Sequence, residues 1–243
     1  MQRAGIAPED KTPILTYSTR MHYRDLVAKV VPRKLSVLDS INNSVDFRID
    51  RDGLFGPAPE FAGRSGLHEY VAGSLGHQPI TYLEFGVWQG ASFKAWLAMN
   101  AHPDSRFTGF DVFTGLPEDW TPRDPKGTFS TQGKPPEISD PRGRFEIGLF
   151  QQTLYPFLER QPPAGQLVVH VDCDLYSSSL FVLTVLDRYF APGTILIFDD
   201  FSSLNHEFAA WCDYRRAFSH RQWEPVAKTT YCVQAAVRLG VPR

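Results

Sequence analysis

Apolar and polar positions change their spacing repeatedly along the chain from about residue 66 onward. Apolar residues at every third or fourth position predict helices, and short apolar runs flanked by Gly, Pro or Asp predict strands. The first elements in chain order are the helix GLHEYVAGSLG, the strand ITYLEFGV, the helix ASFKAWLAMN and the strand RFTGFDVF. They are followed by the strand RFEIGLF, the helix QQTLYPFLER, the strand QLVVHVDC, a helix from about Ser178 to Tyr189, the strand TILIFDDF, a helix near HEFAAWCDYRRAF, and the terminal strands EPVAKTT and YCVQAAVRL.

Two of these strands, LVVHV and TILIF, are apolar at nearly every position. Such strands are typical of the middle of a parallel sheet that helices cover on both faces. We therefore expect an α/β fold in which residues 66–243 form a doubly wound, mostly parallel sheet of seven strands.

Residues 1–65 show no such alternation and are interpreted as an N-terminal extension. Pro and Gly interrupt this segment, and one amphipathic helix is predicted from about Met21 to Val31. Five basic residues in this segment fit either a binding patch or an ordinary solvated helix face: Arg20, Arg24, Lys29, Arg33 and Lys34. We expect the extension to contribute contacts to a substrate or to a second copy in a homo-oligomer.

Composition limits the classes of function. Hydrophobic residues make up 42% of the 243 positions, which is enough for a large core. A net charge of −2 creates no field that attracts nucleic acid or an anionic membrane, so neither partner is expected. The three cysteines lie far apart and form no Cys-x-x-Cys motif, which disfavours a disulfide framework and a zinc site. The sequence contains no apolar stretch long enough to predict a signal peptide or a membrane span. We expect a cytoplasmic protein.

Acidic residues follow the predicted strands at the point where each strand ends. Asp111 ends one strand, Asp172 and Asp174 follow a second, and Asp199 and Asp200 follow a third. Each Asp alone is most simply a cap for the following helix. Five of them at the carboxyl ends of strands, where doubly wound sheets bind ligands, indicate a shared site.

The first strand leads into a glycine-containing turn, YLEFGVWQGAS, with the spacing Glu84-x-Gly86-x-x-x-Gly90. The glycines allow a tight turn and a close approach of a ligand before the next helix. Trp88 is too large for the position where dinucleotide-binding turns admit a pyrophosphate, which disfavours NAD. Asp111 ends the next strand and can accept hydrogen bonds from both ribose hydroxyls, so adenosine without a pyrophosphate fits this turn.

These motifs resemble those of class I S-adenosylmethionine-dependent methyltransferases, and more narrowly the macrocin O-methyltransferase (TylF-like) family. The resemblance covers roughly residues 66–240 and rests on YLEFGVWQGAS, GFDVFTGLPE, GLFQQTL, HVDCDLYSSS and ILIFDDF. It implies a Rossmann-like methyltransferase fold and a hydroxyl acceptor on a sugar of a natural product or glycan. It also implies a set of cofactor-binding residues: Glu84, Gly86, Val87, Trp88, Gly90, Ser92, Asp111 and Asp172. Val112 departs from the small hydroxyl residue that the family prefers after the ribose acid.

The resemblance further implies a divalent cation, most simply Mg²⁺, bound by Asp172, Asp199 and Asp200. Electrostatics gives an independent argument, because two carboxylates about 4 Å apart repel by roughly 4 kcal/mol at a dielectric constant of about 20, so three converging acids need either protonation or a cation. Oxygen ligands favour Mg²⁺, Mn²⁺ or Ca²⁺ over zinc. Asp174 is a rival for Asp172, since alternate residues of a continued strand lie on one face.

Methyl transfer to a hydroxyl requires an aligned acceptor and a base that removes its proton. Asp172 is the first candidate for this base and His206 the second, although a lone His after a strand also fits a surface or capping residue. Residues 117–143 form a long loop rich in Pro and Gly, which we interpret as a lid with Trp120 and Phe129 as acceptor contacts; a disordered insertion is the alternative.

Two other functions fit parts of the sequence. Asp172-Cys173-Asp174 matches the Asp-x-Asp of metal-dependent glycosyltransferases, although that interpretation leaves the Glu84–Gly90 turn unexplained. A methyltransferase-like scaffold without catalysis, serving as a binding module, is the third hypothesis.

Overall fold

The computed structural model describes residues 36–241, with side chains described from residue 39 onward. The helix predicted from Met21 to Val31 and the five basic residues of the N-terminal segment lie outside these residues. By contacts between residues, the chain divides between Asp39 and Ser40, and the described residues from Ser40 onward form one compact unit. The role predicted for residues 1–65 in substrate or oligomer contacts stays a prediction.

Helices and strands alternate through most of the described chain. The helices are α1 (Ser36–Ile49), α2 (Arg64–Leu75), α3 (Ala91–Met99), α4 (Phe150–Arg160), α5 (Tyr176–Leu186) and α6 (Glu207–Ala217). The strands are β1 (Glu60–Phe61), β2 (Ile80–Phe85), β3 (Arg106–Asp111), β4 (Gly143–Ile147), β5 (Gln166–Val171), β6 (Ile195–Phe198), β7 (Trp223–Thr229) and β8 (Ala235–Leu239). Among these helices, none is long and apolar enough to span a membrane.

All eight strands belong to one sheet with the order β1-β7-β8-β6-β5-β2-β3-β4. Strands β6, β5, β2, β3 and β4 are mutually parallel, and β8 runs antiparallel to its neighbours β6 and β7. The α/β class and the mostly parallel doubly wound sheet are thereby confirmed. The number of strands differs from the expected seven because β1 pairs with β7 through only two residues, too few to produce a pattern in the sequence.

The core lies on both faces of the sheet, as the alternation of side chains along a strand requires. On one face, Tyr82 of β2 packs with apolar residues of α2 and α3. On the other face, Leu83 and Phe85 pack with residues of α4, α5 and α6. Since the helices cover both faces, the open carboxyl ends of β2, β3, β4, β5 and β6 are left to form a site.

Candidate active site

A cavity of about 320 Å³ opens at the carboxyl ends of the parallel strands. It is lined by the turn after β2, the end of β3, the segment between β4 and α4, and the segments after β5 and β6. The residues that line it include Arg64, Gly86, Trp88, Asp111, Val112, Trp120, Phe129, Gln151, Asp172, Asp174, Asp199 and Asp200. All five of the predicted strand-end acids therefore line one cavity.

The turn after β2 depends on the missing side chain of Gly86. This residue has φ +94°, and a Cβ atom there would lie 1.8 Å from the carbonyl oxygen of Asp172. The Gly86 amide donates to the Phe110 carbonyl at 3.0 Å, so the turn is held between β3 and the segment after β5. Gly90 has φ +76° and precedes α3 directly. Only glycine fits at position 86 without moving the backbone beside the acids.

Asp111 connects the end of β3 to this turn. Its Oδ2 atom accepts the amides of Val87 at 2.9 Å and Trp88 at 2.8 Å, and its Oδ1 atom accepts the Phe113 amide at 2.7 Å. The carboxylate lies at the cavity wall with Gly86 and Trp88. Asp111 therefore fixes the glycine turn, and its role in binding a ribose stays a prediction.

Glu84 lies behind the turn and not at the cavity wall. It is fully buried, and its Oε1 and Oε2 atoms accept the hydroxyls of Ser92 at 2.7 Å and Tyr82 at 2.5 Å. Val87, Gly90 and Ser92 are likewise absent from the cavity lining. The structure therefore places these four residues as supports of the turn, while the predicted direct contacts with a cofactor stay predictions.

Three carboxyl groups meet at the ends of β5 and β6. Asp172, Asp174 and Asp200 each offer one oxygen within 4.8 Å of the other two, and we call these three residues the acid cluster. Asp199 is grouped instead with His68 and His170. The structure thus brings together two of the three expected cation ligands and joins Asp174, the rival ligand, to them in place of Asp199.

Burial and mutual repulsion raise the pKa values of the three carboxyl groups of the acid cluster. Burial and the neighbouring charge of Asp200 raise the pKa of Asp174 to about 8. Burial and the charge of Asp199 raise the pKa of Asp200 to about 6. Burial and Asp199 also raise the pKa of Asp172 well above its ordinary value. Such shifts indicate negative charge that the described side chains do not compensate.

Asp199 has the cationic partners that the acid cluster lacks. Its Oδ2 atom accepts a hydrogen bond from Arg64 Nη1 at 3.2 Å, and its Oδ1 atom lies 3.7 Å from His170 Nε2. Burial alone would raise the pKa of Asp199, but His170 and Arg64 lower it overall. Arg64 begins α2 and lines the cavity, and no pattern in the sequence predicts this contact.

Glu207 is a buried acid that the sequence analysis did not identify. Its Oε1 atom accepts the Cys173 amide at 2.9 Å, and its Oε2 atom accepts the Asp200 amide at 3.0 Å. One carboxylate from α6 therefore fixes the backbone of both segments that carry the acid cluster. Within a helical sequence, Glu207 looks like an ordinary polar position of the first turn, so the pattern alone could not reveal this contact.

His206 lies at the N-cap of α6, outside the cavity lining. Its ring centre is 6.4 Å from that of Trp120, and burial lowers its pKa. The geometry therefore gives more support to Asp172, which lines the cavity, than to His206. Both assignments as the base stay predictions.

The loop between β3 and β4 folds against the cavity. The Leu116 amide donates to the Thr128 carbonyl and the Gly127 amide to the Leu116 carbonyl, both at 2.9 Å. Phe129 then lies with its ring centre 5.6 Å from that of Trp88 and 6.3 Å from that of Trp120. These hydrogen bonds and ring contacts favour a lid over a disordered insertion.

Comparisons with known proteins agree with this geometry. Residues 74–231 match the model of the family described as macrocin-O-methyltransferase (TylF), which is well over half of the chain. Among solved structures, the calicheamicin methyltransferase CalS11 matches with a TM-score of 0.56 and 18% identity over 98% of this chain and 99% of that one. The O-methyltransferase NovP matches with a TM-score of 0.54 and 18% identity over 82% of this chain and 100% of that one.

At these identities, the two structures support the fold alone. None of the curated proteins compared with the chain matches it. The family match covers β2 to β7 and therefore includes the glycine turn and all members of the acid cluster. It favours methyl transfer over the glycosyltransferase alternative.

Proposed function

The chain belongs to the macrocin O-methyltransferase (TylF) family of S-adenosylmethionine-dependent enzymes, and we propose that it methylates a sugar hydroxyl of a natural product or glycan with the help of a divalent cation. The observation that carries this proposal is that the acid cluster shares one cavity with the glycine turn and with Trp88, Trp120 and Phe129. This arrangement supports adjacent places for a donor, a cation and an acceptor in one cavity.

The residues that line the cavity fit S-adenosylmethionine. Gly86 lies at the cavity wall in the turn, where the methionine part would bind, and Asp111 offers a carboxylate at the end of β3 to the ribose. No pyrophosphate has to pass the bulky Trp88, whose side chain is 43% exposed. The cofactor would therefore lie across the ends of β2 and β3, with its sulfonium directed toward the acids after β5.

The acid cluster fits a hard divalent cation. Asp172, Asp174 and Asp200 supply carboxylate oxygens alone, which Mg²⁺ prefers to the nitrogen and sulfur ligands typical of zinc. Their raised pKa values show that bringing these groups together is costly unless a proton or a cation compensates the charge. When bound, Mg²⁺ would lower the pKa of a coordinated substrate hydroxyl. We propose Asp174 as the third ligand in place of Asp199.

Asp172 and Glu207 have two further roles in the proposed reaction, proton acceptance and positioning. Asp172 is proposed to take the proton of the acceptor hydroxyl, because it lines the cavity and because burial and the charge of Asp199 raise its pKa, which makes its carboxylate a stronger proton acceptor. Glu207 holds Asp200 and the segment after Asp172 in position through two backbone amides. Alignment of the hydroxyl with the methyl group accounts for most of the expected rate enhancement.

Aromatic side chains support a sugar as the acceptor. Trp88 and Phe129 present rings that are 43% and 36% exposed, and both line the cavity together with Trp120. An aromatic ring packs well against the C–H face of a pyranose while its hydroxyls remain free for polar partners. The lid would cover the acceptor and exclude water from the reacting methyl group.

Transfer of a labelled methyl group tests this function. The purified protein is incubated with labelled S-adenosylmethionine and a panel of glycosylated and phenolic acceptors, with Mg²⁺ or with a chelator. We expect label in a sugar-bearing acceptor and loss of activity with the chelator. Asp172→Asn should lower kcat by about 10²–10⁴-fold. Asp104→Asn should leave kcat unchanged, because this side chain is 83% exposed and precedes the amino end of β3, whereas the cavity lies at the carboxyl end. Label only in phenolic acceptors would contradict the sugar assignment.

A further inference from the structure

A second polar cluster lies under the cavity, on the face of the sheet that α2 and α3 cover. His68, His170 and Asp199 each bring one polar atom to within 4.8 Å of the others, around a common point. Each of these residues also has a buried polar atom without a hydrogen-bond partner among residues 36–241, namely His68 Nε2, His170 Nε2 and Asp199 Oδ1. Buried polar atoms are rarely left unpaired, so three at one point require an explanation.

The tautomer of His68 follows from its contact with Trp96. The indole nitrogen of Trp96 can only donate, and it lies 3.1 Å from His68 Nδ1. Nδ1 therefore carries a lone pair, and the proton of the neutral ring lies on Nε2. Burial lowers the pKa of His68 to about 3, which keeps this ring neutral. At the common point, His68 is a hydrogen-bond donor.

A contact at its other ring nitrogen, Nδ1, orients His170. Tyr82 donates its hydroxyl proton to Glu84 Oε2, so the hydroxyl oxygen is free to accept from His170 Nδ1 at 3.2 Å. Glu84 and His170 are direct partners in the pairing of β2 with β5, which places all three groups on one face. His170 Nε2 therefore points toward Asp199, but at 3.7 Å it is too far for a direct hydrogen bond.

This arrangement does not suit a metal ion. A metal at the common point would need a lone pair on the Nε2 atom of each histidine. His68 Nε2 carries the proton that the Trp96 contact displaces from Nδ1. A metal would therefore require either an imidazolate or the loss of a buried hydrogen bond.

We propose that a single water molecule occupies this point and is the missing partner of His68 Nε2, His170 Nε2 and Asp199 Oδ1. The water accepts from His68 and donates to Asp199. Its third hydrogen bond goes to His170, as acceptor if Nε2 carries a proton and as donor if it does not. Polar atoms no more than 4.8 Å apart can be bridged by one water about 2.8 Å from each, and buried waters typically make about three hydrogen bonds.

The water site explains why Asp199 stands apart from the acid cluster. Its Oδ1 atom would bind the water while its Oδ2 atom accepts from Arg64. Both oxygens then have partners on the side of α2. Only this consequence rests on the proposed cation site; the water itself follows from the geometry of the buried groups.

A crystal structure of the full chain at about 1.5 Å, with data collected above the zinc edge and metal content measured on the same protein, tests the proposal. We expect one density peak about 2.7–3.1 Å from each of the three atoms, with no anomalous signal. An anomalous peak at this point, or no density there, would overturn the proposal. Neither result depends on methyl transfer, so a failure here is distinct from a failure of the proposed function.

Substitution of His68 provides a second test. His68→Leu removes the donor, and we expect loss of the water and a melting temperature lower by about 2–8 °C. His77→Leu removes an exposed histidine just beyond the end of α2 and should leave the melting temperature unchanged. A His68→Leu variant that is as stable as the wild type, or whose crystal structure retains the water unchanged, would contradict the proposal.

Discussion

Binding of Mg²⁺ is expected to strengthen steeply between about pH 6 and pH 8, because a cation must displace protons from the acid cluster. The pKa of Asp174 is about 8, raised by burial and by Asp200. The pKa of Asp200 is about 6, raised by burial and by Asp199. At the lower pH, Asp174 is protonated and Asp200 is half protonated. At the higher pH, Asp200 is ionised and Asp174 is half ionised.

These values set the size of the effect. Between pH 6 and pH 8, loss of the proton from Asp174, with a pKa of about 8, raises the apparent affinity for Mg²⁺ about 50-fold. Loss of the proton from Asp200, with a pKa of about 6, raises it by a further factor of about two. We therefore expect the dissociation constant to fall about 100-fold, or about 2.8 kcal/mol. Without a cation, a rise in pH has the opposite effect on these groups, because it lowers folding stability. Both folded pKa values lie above the ordinary 3.8, so these two groups make the protein less stable as the pH rises from about 4 toward 8.

Calorimetric titration of Mg²⁺ into the protein at both pH values measures the affinity, and repeating it in two buffers with different ionisation enthalpies counts the released protons. At about pH 6.5 we expect release of at least one proton per cation. The exposed-site variant Asp104→Asn is the control and should show the same dependence as the wild type. A dissociation constant that stays constant within twofold across this pH interval would refute the reasoning.

Three further substitutions test separate parts of the site. Gly86→Ala places a Cβ atom 1.8 Å from the Asp172 carbonyl oxygen at φ +94°. We expect the free energy of unfolding to fall by about 2–5 kcal/mol and calorimetry to show that S-adenosylhomocysteine no longer binds. Unchanged binding would contradict the close approach of the two segments. Glu207→Gln leaves one of two backbone amides without an acceptor, and chemical denaturation should show a loss of about 1–3 kcal/mol, while the exposed Glu224→Gln should show none. Phe129→Leu should raise the acceptor KM about fivefold without changing the affinity for S-adenosylhomocysteine, and a change in cofactor affinity alone would assign the ring to the cofactor.

The sheet and its acids were predictable because their signals are local. Continuous apolar runs predict buried parallel strands, and the acids after them fall at the carboxyl ends of β5 and β6. Asp111 and the Gly86 turn were found in the same way, from their position directly after a strand. The two-residue strand β1 could not be predicted, since its pairing with β7 depends on a partner more than 160 residues away.

Alternation along a strand predicts the acid cluster only in part, because the same rule places Asp172, which continues the face of Val168 and His170, on the side of Asp199. Asp199 and Asp200 are consecutive, and consecutive residues at the end of a strand point to opposite faces. Asp199 continues the face of Ile195 and Ile197, which is the face that α2 and α3 cover. The same rule already made Asp174 a rival ligand, but the sequence could not show that Arg64 and His170 would be available to pair with Asp199. Contacts of that kind depend on packing between distant segments.

A crystal of the protein with S-adenosylhomocysteine and Mn²⁺, measured by anomalous diffraction, tests the central claim most directly. We predict one manganese ion bound by oxygens of Asp172, Asp174 and Asp200 at about 2.0–2.4 Å, with the sulfur of the cofactor facing the same cavity. An ion bound through Asp199 in place of Asp174, or a saturated crystal without an ion at these carboxylates, would contradict it.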